Sequence, residues 1–294
     1  MLPMNAQPSS ATTGEQQEPP KASAEIDDDF GPREHARAAW RRAILNPTLL
    51  LDIIVTGAMA AIPEFALPQH HRPTPVQTIS GTYARAWMLD NPYVENTVSN
   101  TSLTLVAILF PLAVVVLLSV ASPARGAVKA FLHSWFWCMA TQSMVVSCVK
   151  AYCGYWRPYF LGECKFSEAS GRCTSAEYDH AFRSFPSGHA ATAVAPLLHT
   201  SLRCMGAMRL GYVRREVPLG HGLPMLEVDG VLTALCLLPT FYALWVAASR
   251  VYDNAHHPAD VVGGALIGGS SAVLWYFRYF HGLFGPSAHR PRMS

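Results

Sequence analysis

The sequence predicts an all-α membrane protein, a polytopic bundle of six transmembrane helices. Hydrophobic residues make up 50% of the 294 residues and charged residues only 14%, well below the ~25% charged residues of soluble domains. Apolar runs close to the ~20 residues that cross a bilayer recur along the chain. They lie near residues 44–63, 101–121, 129–149, 189–206, 229–248 and 260–281.

The elements divide into one helical domain and two terminal segments. Residues 1–31 have almost no apolar content and predict a disordered cytosolic tail. Residues 32–43 fit either a helix lying on the inner membrane interface or a simple extension of the first span, and the sequence leaves both open. The bundle occupies residues 44–281, and residues 282–294 form a second cytosolic tail.

Two of the six segments carry unusual polar residues. The fourth segment, near 189–206, is short and contains His199 and Arg203 towards its end, which a helix buried in the bundle tolerates better than a lipid-facing one. Asp52 and Glu64 lie within or beside the first segment. Because a carboxylate in a membrane is costly, each is expected to have a partner in the bundle or at the interface.

Charge indicates the orientation and excludes one class of partner. With 22 basic and 20 acidic residues the net charge is +2, too small to favour nucleic acid. Segments that lie inside when the amino terminus is cytosolic hold most of the basic residues, which predicts that both termini are cytosolic. The plasma membrane, endoplasmic reticulum and vacuole all fit this topology.

Two cysteines are candidates for a disulfide. Cys164 and Cys173 share a polar loop over residues 160–183 that the orientation places in an oxidising compartment, so a bond between them is plausible. Cys153 is a weaker competitor for the same bond. No pair has the Cys and His spacing of a zinc site.

Three short blocks of basic residues and histidines lie at the ends of apolar segments. They are Lys150-x6-Arg157-Pro158, Pro186-Ser187-Gly188-His189 and Ser249-Arg250-x5-His256-x3-Asp260. Cations and imidazoles are costly near a bilayer, so their recurrence at three membrane borders indicates a function. All three borders fall on the exoplasmic or lumenal side in the predicted topology. The blocks therefore predict the parts of one phosphate-handling site.

The cations in these blocks suit a phosphoryl group. Charge on a transferred phosphoryl group spreads over its equatorial oxygens, so several fixed donors must surround it. Lys150, Arg157 and Arg250 can supply them, since a guanidinium donates two hydrogen bonds to a phosphate and keeps its charge. Ser187 and Gly188 precede a predicted helix, whose free N–H groups also favour an anion.

The remaining groups can break a phosphoester bond. His256 and Asp260 are four residues apart with Pro258 between them, which fits the first turn of the sixth span. A carboxylate that holds one imidazole nitrogen leaves the other free to attack. His256 is therefore the candidate nucleophile, forming a phosphohistidine, and His189 the candidate acid that protonates the leaving oxygen.

At these residues the chain resembles the type 2 phosphatidic acid phosphatase (PAP2) superfamily, in its integral-membrane lipid phosphate phosphatase branch. The resemblance extends beyond the three blocks and covers roughly residues 44–281. It includes Gly154, the run from Arg157 to Leu161 with nearby Cys164, the run from Arg183 to His189, and the run from His256 to Val261. Three spaced blocks in one order are far more specific than any single block.

The resemblance implies a fold with a core of the vanadium-haloperoxidase type and assigns the site residues. It implies that Lys150, Arg157 and Arg250 bind phosphate, that His189 is the acid, that His256 with Asp260 is the nucleophile and its orienting partner, and that Ser187, Gly188 and Ser249 are auxiliary phosphate contacts. It also implies that no metal and no cofactor take part. Other histidines, including His133, His180, His199 and His257, are expected to be solvated or to pack.

The expected activity is the hydrolysis of phosphatidate and related lipid phosphates or pyrophosphates. The expected partners are the lipid phosphate substrate and membrane lipids, and association with a second copy of the chain stays open. Two rival hypotheses remain at this point. One is a lipid phosphotransferase that uses the same histidine intermediate, and the other is a non-catalytic membrane scaffold or transporter.

Overall fold

A computed structural model describes residues 32–79, 82–121, 124–175, 178–218 and 225–292. The predicted disordered tail, residues 1–31, lies outside these ranges. Within them the chain forms helices α1 (Pro32–Ile44), α2 (Pro47–Ala66), α3 (Asn100–Ala121), α4 (Ala127–Cys153), α5 (Phe160–Glu163), α6 (Gly188–Met208), α7 (Asp229–Tyr252) and α8 (Pro258–Tyr279).

Strands are few and short in the described residues. They form three antiparallel pairs, which are β1 (Gln77–Ile79) with β2 (Thr82–Ala84), β3 (Phe166–Ser167) with β4 (Arg172–Cys173), and β5 (Glu216–Pro218) with β6 (Met225–Glu227). Two 3-10 turns, Trp87–Leu89 and Asp179–Phe182, complete the elements. The predicted all-α fold class is confirmed.

Each of the six predicted apolar segments is a helix, corresponding in order to α2, α3, α4, α6, α7 and α8. Four of them, α2, α3, α7 and α8, are long and apolar enough to cross a membrane, and the protein is an integral membrane protein. The other two, α4 and α6, are more polar and bury more of their surface. The count of six spans stays a prediction.

Helices α4 and α6 form the centre of the bundle. Helix α6 packs against α8 and α7, while α4 packs against α2 and α8. Gly264 and Gly268 on α8 allow a close approach to α6, since a Cβ on Gly264 would lie 2.3 Å from the Ser187 carbonyl oxygen and one on Gly268 2.6 Å from that of Ala191. Small residues therefore hold the start of α8 against the start of α6.

The first described helix is separate from the first predicted span. Helix α1 ends at Ile44, and Asn46 begins α2 by accepting a hydrogen bond of 2.9 Å from the Thr48 N–H, with Pro47 in the first turn. Ala43 is buried in a core cluster with residues of α4. The structure therefore contains a helix here that is separate from α2, and its position on the inner membrane interface stays a prediction.

The carboxyl-terminal segment packs back on the bundle. The Arg292 N–H donates to the Tyr279 carbonyl at 2.8 Å, its Nε donates to the Phe280 carbonyl at 2.9 Å, and Ala288 is buried. The described part of the predicted tail at 282–294 therefore belongs structurally to the end of α8.

Candidate active site

The three sequence blocks meet at one end of the bundle. Lys150 lies in the last turn of α4, Gly188 and His189 begin α6, Arg250 lies in the last turn of α7, and His256 lies two residues before α8. The Ser187 N–H donates to the Asp260 carbonyl at 2.8 Å, which ties the second block to the third. The Lys150 side chain reaches the second block, because a Cβ on Gly188 would lie 3.7 Å from Lys150 Cε.

His256 and Asp260 lie side by side in the interior. His256 Nδ1 is 3.7 Å from Asp260 Oδ2, and the two side chains are only 3% and 1% exposed. That distance is longer than a hydrogen bond, as catalytic pairs often are before substrate binds. The same carboxylate oxygen accepts hydrogen bonds from Ser184 Oγ at 2.6 Å and from the His257 N–H at 2.9 Å, so its position is fixed.

The surroundings of His256 keep its imidazole neutral. Burial lowers the pKa of His256 well below its ordinary value, and the nearby charges of Lys150 and Arg157 lower the pKa further, against the opposing effect of Asp260. A neutral imidazole has a lone pair available on one ring nitrogen. The group proposed for nucleophilic attack is therefore in its attacking form at neutral pH.

Arg250 is held in place by a buried clamp. Its side chain is 1% exposed, and Nη1 lies 3.2 Å from Asp253 Oδ2. Nη2 donates to Asn96 Oδ1 at 2.5 Å, and Nη1 also donates to the Val98 carbonyl at 3.4 Å. Asp253 in turn accepts from the Thr97 N–H at 3.0 Å and from Thr97 Oγ1 at 2.5 Å. The segment before α3 is thus fastened to the end of α7.

The other two cations approach the site from the α4 side. Lys150 is buried, and its Nζ donates to the Arg183 carbonyl at 2.8 Å. Arg157 Nη1 donates to the Tyr159 hydroxyl at 3.0 Å, while its Nε has no hydrogen-bond partner among the described residues. Both cations therefore retain N–H groups that can bind an anion.

His189 presents a free ring nitrogen. Its Nε2 is buried and has no hydrogen-bond partner in the described part of the chain. Its ring lies near the backbone of Val98, the residue whose carbonyl accepts from Arg250. His189 therefore lies beside the Arg250 clamp and keeps a nitrogen that can carry a proton to a substrate.

The two predicted serine contacts have structural partners. Ser187 begins α6 and its Oγ accepts from the Ala190 N–H at 3.3 Å. Ser249 is buried, and its Oγ donates to the Val246 carbonyl at 2.8 Å within α7. The Ser249 hydroxyl proton is thus engaged in its own helix, and only its lone pairs remain for another contact.

Sequence reasoning assigned no role to the residues that hold the predicted site in place. Ser184 holds Asp260, and Asp253 with Asn96 and Thr97 holds Arg250. Asp253 had a local signal, since it lies three residues after Arg250 on the same helix face. Asn96 and Thr97 are about 150 residues away in sequence, and no local pattern links them to Arg250.

The described residues contain no group of three or more His, Cys, Asp or Glu side chains that could hold a metal ion. The chemistry available at this end of the bundle comes from three cations, two imidazoles and a carboxylate. Such a set is able to surround and polarise a phosphate ester and to supply a nucleophile and an acid. Together with the helical bundle, it defines the class of membrane-embedded phosphatases.

Comparison with known proteins agrees with this class. The family model of the PAP2 superfamily matches residues 131–282, about half of the chain and all three blocks. The chain belongs to the PAP2 superfamily. No solved structure gives a significant match.

Similar curated proteins come from plants and yeast. The chain is 28% identical over 214 residues to lipid phosphate phosphatase 2 of Arabidopsis thaliana, covering 68% of each protein. It is 28% identical over 206 residues to lipid phosphate phosphatase 1 of the same plant, covering 65% of the chain and 58% of that protein. It is 27% identical over 173 residues to diacylglycerol pyrophosphate phosphatase 1 of Saccharomyces cerevisiae, covering 55% and 54%.

Proposed function

We propose that the protein hydrolyses phosphatidate and related lipid phosphates or pyrophosphates through a phosphohistidine formed on His256. The observation that carries this proposal is the meeting of His256, His189 and three cations at one end of the bundle. Lys150, Arg157 and Arg250 offset the charge of a phosphate there, while His256 is buried beside a fixed carboxylate. Both histidines can therefore act on one bound phosphate.

In the first step, the neutral His256 nitrogen that faces away from Asp260 attacks phosphorus. A P–N bond forms as the bond between phosphorus and the lipid oxygen breaks. The negative charge of the bound phosphate favours the protonated form of His189, which gives its proton to that oxygen, so the lipid leaves as a neutral alcohol. The three cations stabilise the charge on the equatorial oxygens. Asp260 stabilises the positive charge that develops on the His256 ring.

In the second step, water attacks the phosphohistidine. His189, now neutral, takes a proton from the water while the P–N bond breaks, so inorganic phosphate forms and both histidines return to their starting states. The two histidines carry the proton transfers of this scheme, and Lys150, Arg157, Arg250 and Asp260 supply its counter-charges. We therefore expect the activity to persist in the presence of a metal chelator.

The substrate class follows from the position of the site. The site lies where membrane helices end, so a substrate whose hydrocarbon stays in the bilayer can place its phosphate there. The names of the relatives, two lipid phosphate phosphatases and a diacylglycerol pyrophosphate phosphatase, support a lipid phosphate. With cytosolic termini, this end of the bundle faces the exoplasmic or lumenal side of its membrane.

The test is phosphate release from phosphatidate by membranes that contain the wild-type chain or His256→Ala, with a chelator present throughout. We expect His256→Ala to lower kcat by about 10⁴-fold or more, because it removes the nucleophile. His281→Ala, at the opposite end of the bundle and exposed, is the matched control and should retain activity. Rapid acid-free quenching of the wild type should trap labelled phosphate on His256.

Other outcomes would contradict the proposal. Transfer of the label to a second lipid alcohol without phosphate release would identify a phosphotransferase. Equal activity of folded wild type and His256→Ala would remove His256 from the mechanism. Absence of turnover in the folded wild type with every lipid phosphate tested would favour a scaffold or a transporter.

A further inference from the structure

A cavity of about 410 Å³ lies between α2, α3 and α4. This volume is within the ~300–1,000 Å³ of pockets that hold small molecules. Its walls are mainly apolar and carry five hydroxyl or amide side chains. The lining residues are Ile53, Thr56, Gly57, Ala60, Thr104, Ala107, Ile108, Trp135, Phe136, Met139, Ala140, Gln142, Ser143 and Thr192. We call this cavity the α2–α4 groove.

The groove begins close to the phosphate site. Thr192 is one turn of α6 beyond Gly188, and Gln142 is two turns of α4 before Lys150. At 1.5 Å per residue, these steps are about 6 Å and 12 Å along their helix axes. A ligand with its phosphate at Lys150 would therefore place its next few atoms at the level of Thr192.

The open side of the groove faces where lipid lies in a membrane. Helix α2 packs along α4, whereas α3 packs mainly on α6, so α2 and α3 make little contact with each other. Ile53 on α2 and Ile108 on α3 line the groove and remain 41% and 37% exposed. From Ser143 to Trp135 the groove extends eight residues, about 12 Å, along α4. An apolar channel of this kind suits a hydrocarbon chain.

One polar side chain in the groove is incompletely paired. Gln142 is 3% exposed, and its Nε2 lies 3.5 Å from Thr192 Oγ1. Its Oε1 has no hydrogen-bond partner among the described residues. A buried amide oxygen that accepts no hydrogen bond is costly. The Gln142 side chain lies between the apolar channel and the phosphate site. An amide both donates and accepts, so it can pair with the ester or hydroxyl group that links a chain to a phosphate.

We propose that the α2–α4 groove binds a hydrocarbon chain of the lipid phosphate, with the Gln142 amide contacting the polar linkage next to the phosphate. This inference rests on the proposed function of the site. It makes the groove a determinant of specificity for long-chain substrates over water-soluble phosphate esters. Binding energy from the chain would hold the phosphate against Lys150, Arg157 and Arg250.

Gly57 offers a direct way to fill the groove. A Cβ placed on Gly57 would meet nothing within 4 Å, so a larger side chain enters the groove without a clash at its root. Gly230 on α7 is also exposed with nothing within 4 Å of a Cβ, and it lies outside the groove. Gly57→Phe and Gly230→Phe are therefore a matched pair that makes the same chemical change in two places.

The experiment compares kcat/KM for dipalmitoyl phosphatidate with kcat/KM for a water-soluble phosphate monoester in mixed micelles. We expect Gly57→Phe to lower kcat/KM for dipalmitoyl phosphatidate by at least about 10-fold, the scale on which hydrophobic pockets discriminate. The same variant should leave kcat/KM for the water-soluble monoester unchanged. Gly230→Phe should change neither. Equal losses on both substrates, or no loss on either, would overturn the inference.

A binding measurement separates this inference from the proposed function. Phosphatidate with a photoactivatable diazirine in its chain should label groove residues of wild-type protein and lose that labelling in Gly57→Phe. Labelling of the groove at equal yield by diacylglycerol with the same chain would show a general bilayer lipid site and overturn the proposal. Groove labelling specific to the phosphorylated probe, in a wild type that releases no phosphate, would support the groove and contradict the proposed hydrolysis.

Discussion

Arg250 and Asp253 form a buried ion pair that is stabilised by further hydrogen bonds. Both side chains are almost fully excluded from solvent, and Asp253 also accepts two hydrogen bonds from Thr97. Burial of an ion pair is compensated only when the geometry is good and the remaining lone pairs are satisfied. Asp253 therefore fixes the orientation of the Arg250 guanidinium.

We expect Asp253→Asn to lower kcat/KM for lipid phosphate by about 10- to 100-fold, since a hydrogen bond to a charged group is worth about 1.5–3 kcal/mol. The loss should appear mainly in KM, because in the proposed mechanism Arg250 binds the phosphate in the ground state and the transition state alike. Steady-state kinetics on purified variants measure it. Asp253→Glu should recover part of the activity, and an unchanged KM in Asp253→Asn would contradict the positioning role.

His256 illustrates control of a protonation state by burial. Because burial lowers its pKa, the imidazole should stay neutral as the pH falls through its ordinary value of 6.5 and take a proton only under more acidic conditions. The charged form of His256 is disfavoured in the folded protein, so the unfolded chain takes up this proton at a higher pH than the folded chain does. The free energy of unfolding therefore decreases as the pH falls below about 6.5.

The measurement is NMR of ¹³Cε1-labelled histidine in detergent micelles. The resonance that disappears in His256→Gln should show no titration between pH 8 and pH 6.5. A midpoint for that resonance at or above pH 6.5 in the folded protein would contradict the effect of burial.

At the scale of elements, the connection from α4 to α6 packs into a small unit together with Ala86 and Leu89 of the α2–α3 connection. Tyr159, Phe160, Leu161 and Phe182 lie in one hydrophobic cluster, and the Arg157 N–H donates to the Ala181 carbonyl at 2.8 Å. The structure also contains the disulfide between Cys164 and Cys173 that the shared polar loop predicts. This unit carries Arg157 at one end and leads into the second block at the other.

The disulfide closes a short loop, since its two cysteines are nine positions apart in the sequence. Chain-entropy arguments give such a loop a stabilisation of about 2–3 kcal/mol. We therefore expect Cys173→Ser to lower the melting temperature in detergent, measured by the onset of aggregation. Cys153→Ser, which removes a free cysteine next to the same unit, is the control. Equal melting temperatures for wild type and Cys173→Ser would contradict this assignment.

Helices α4 and α6 are less apolar than the other four long helices of the bundle, although they lie at its centre. Both bury polar side chains at the centre of the bundle, among them His133, Gln142 and Arg203. His133 and Gln142 have partners on neighbouring helices. His133 is paired with Asp52 of α2, and Glu64 at the far end of α2 is paired with Arg183. Both partners expected for the carboxylates of the first segment are therefore present.

At the scale of the whole molecule, the bundle brings distant helix ends to one place. The ends of α4 and α7 and the starts of α6 and α8 carry all three blocks, which are separated by tens of residues in sequence. Direct packing of α8 on α6 through Gly264 and Gly268 sets the distance between the second and third blocks. The α2–α4 groove arises at the same scale, from a gap between helices that no single element contains.

The sequence alone determined the helical class, the approximate positions of the six segments and the residues of the candidate site, because apolar periodicity and motif spacing are local properties. The tertiary structure decided what holds those residues. Ser184 on Asp260, Asn96 and Thr97 on the Arg250 clamp, and the gap beside Gln142 all depend on contacts between segments far apart in the chain. Such contacts depend on how the helices pack, and local sequence patterns do not predict them.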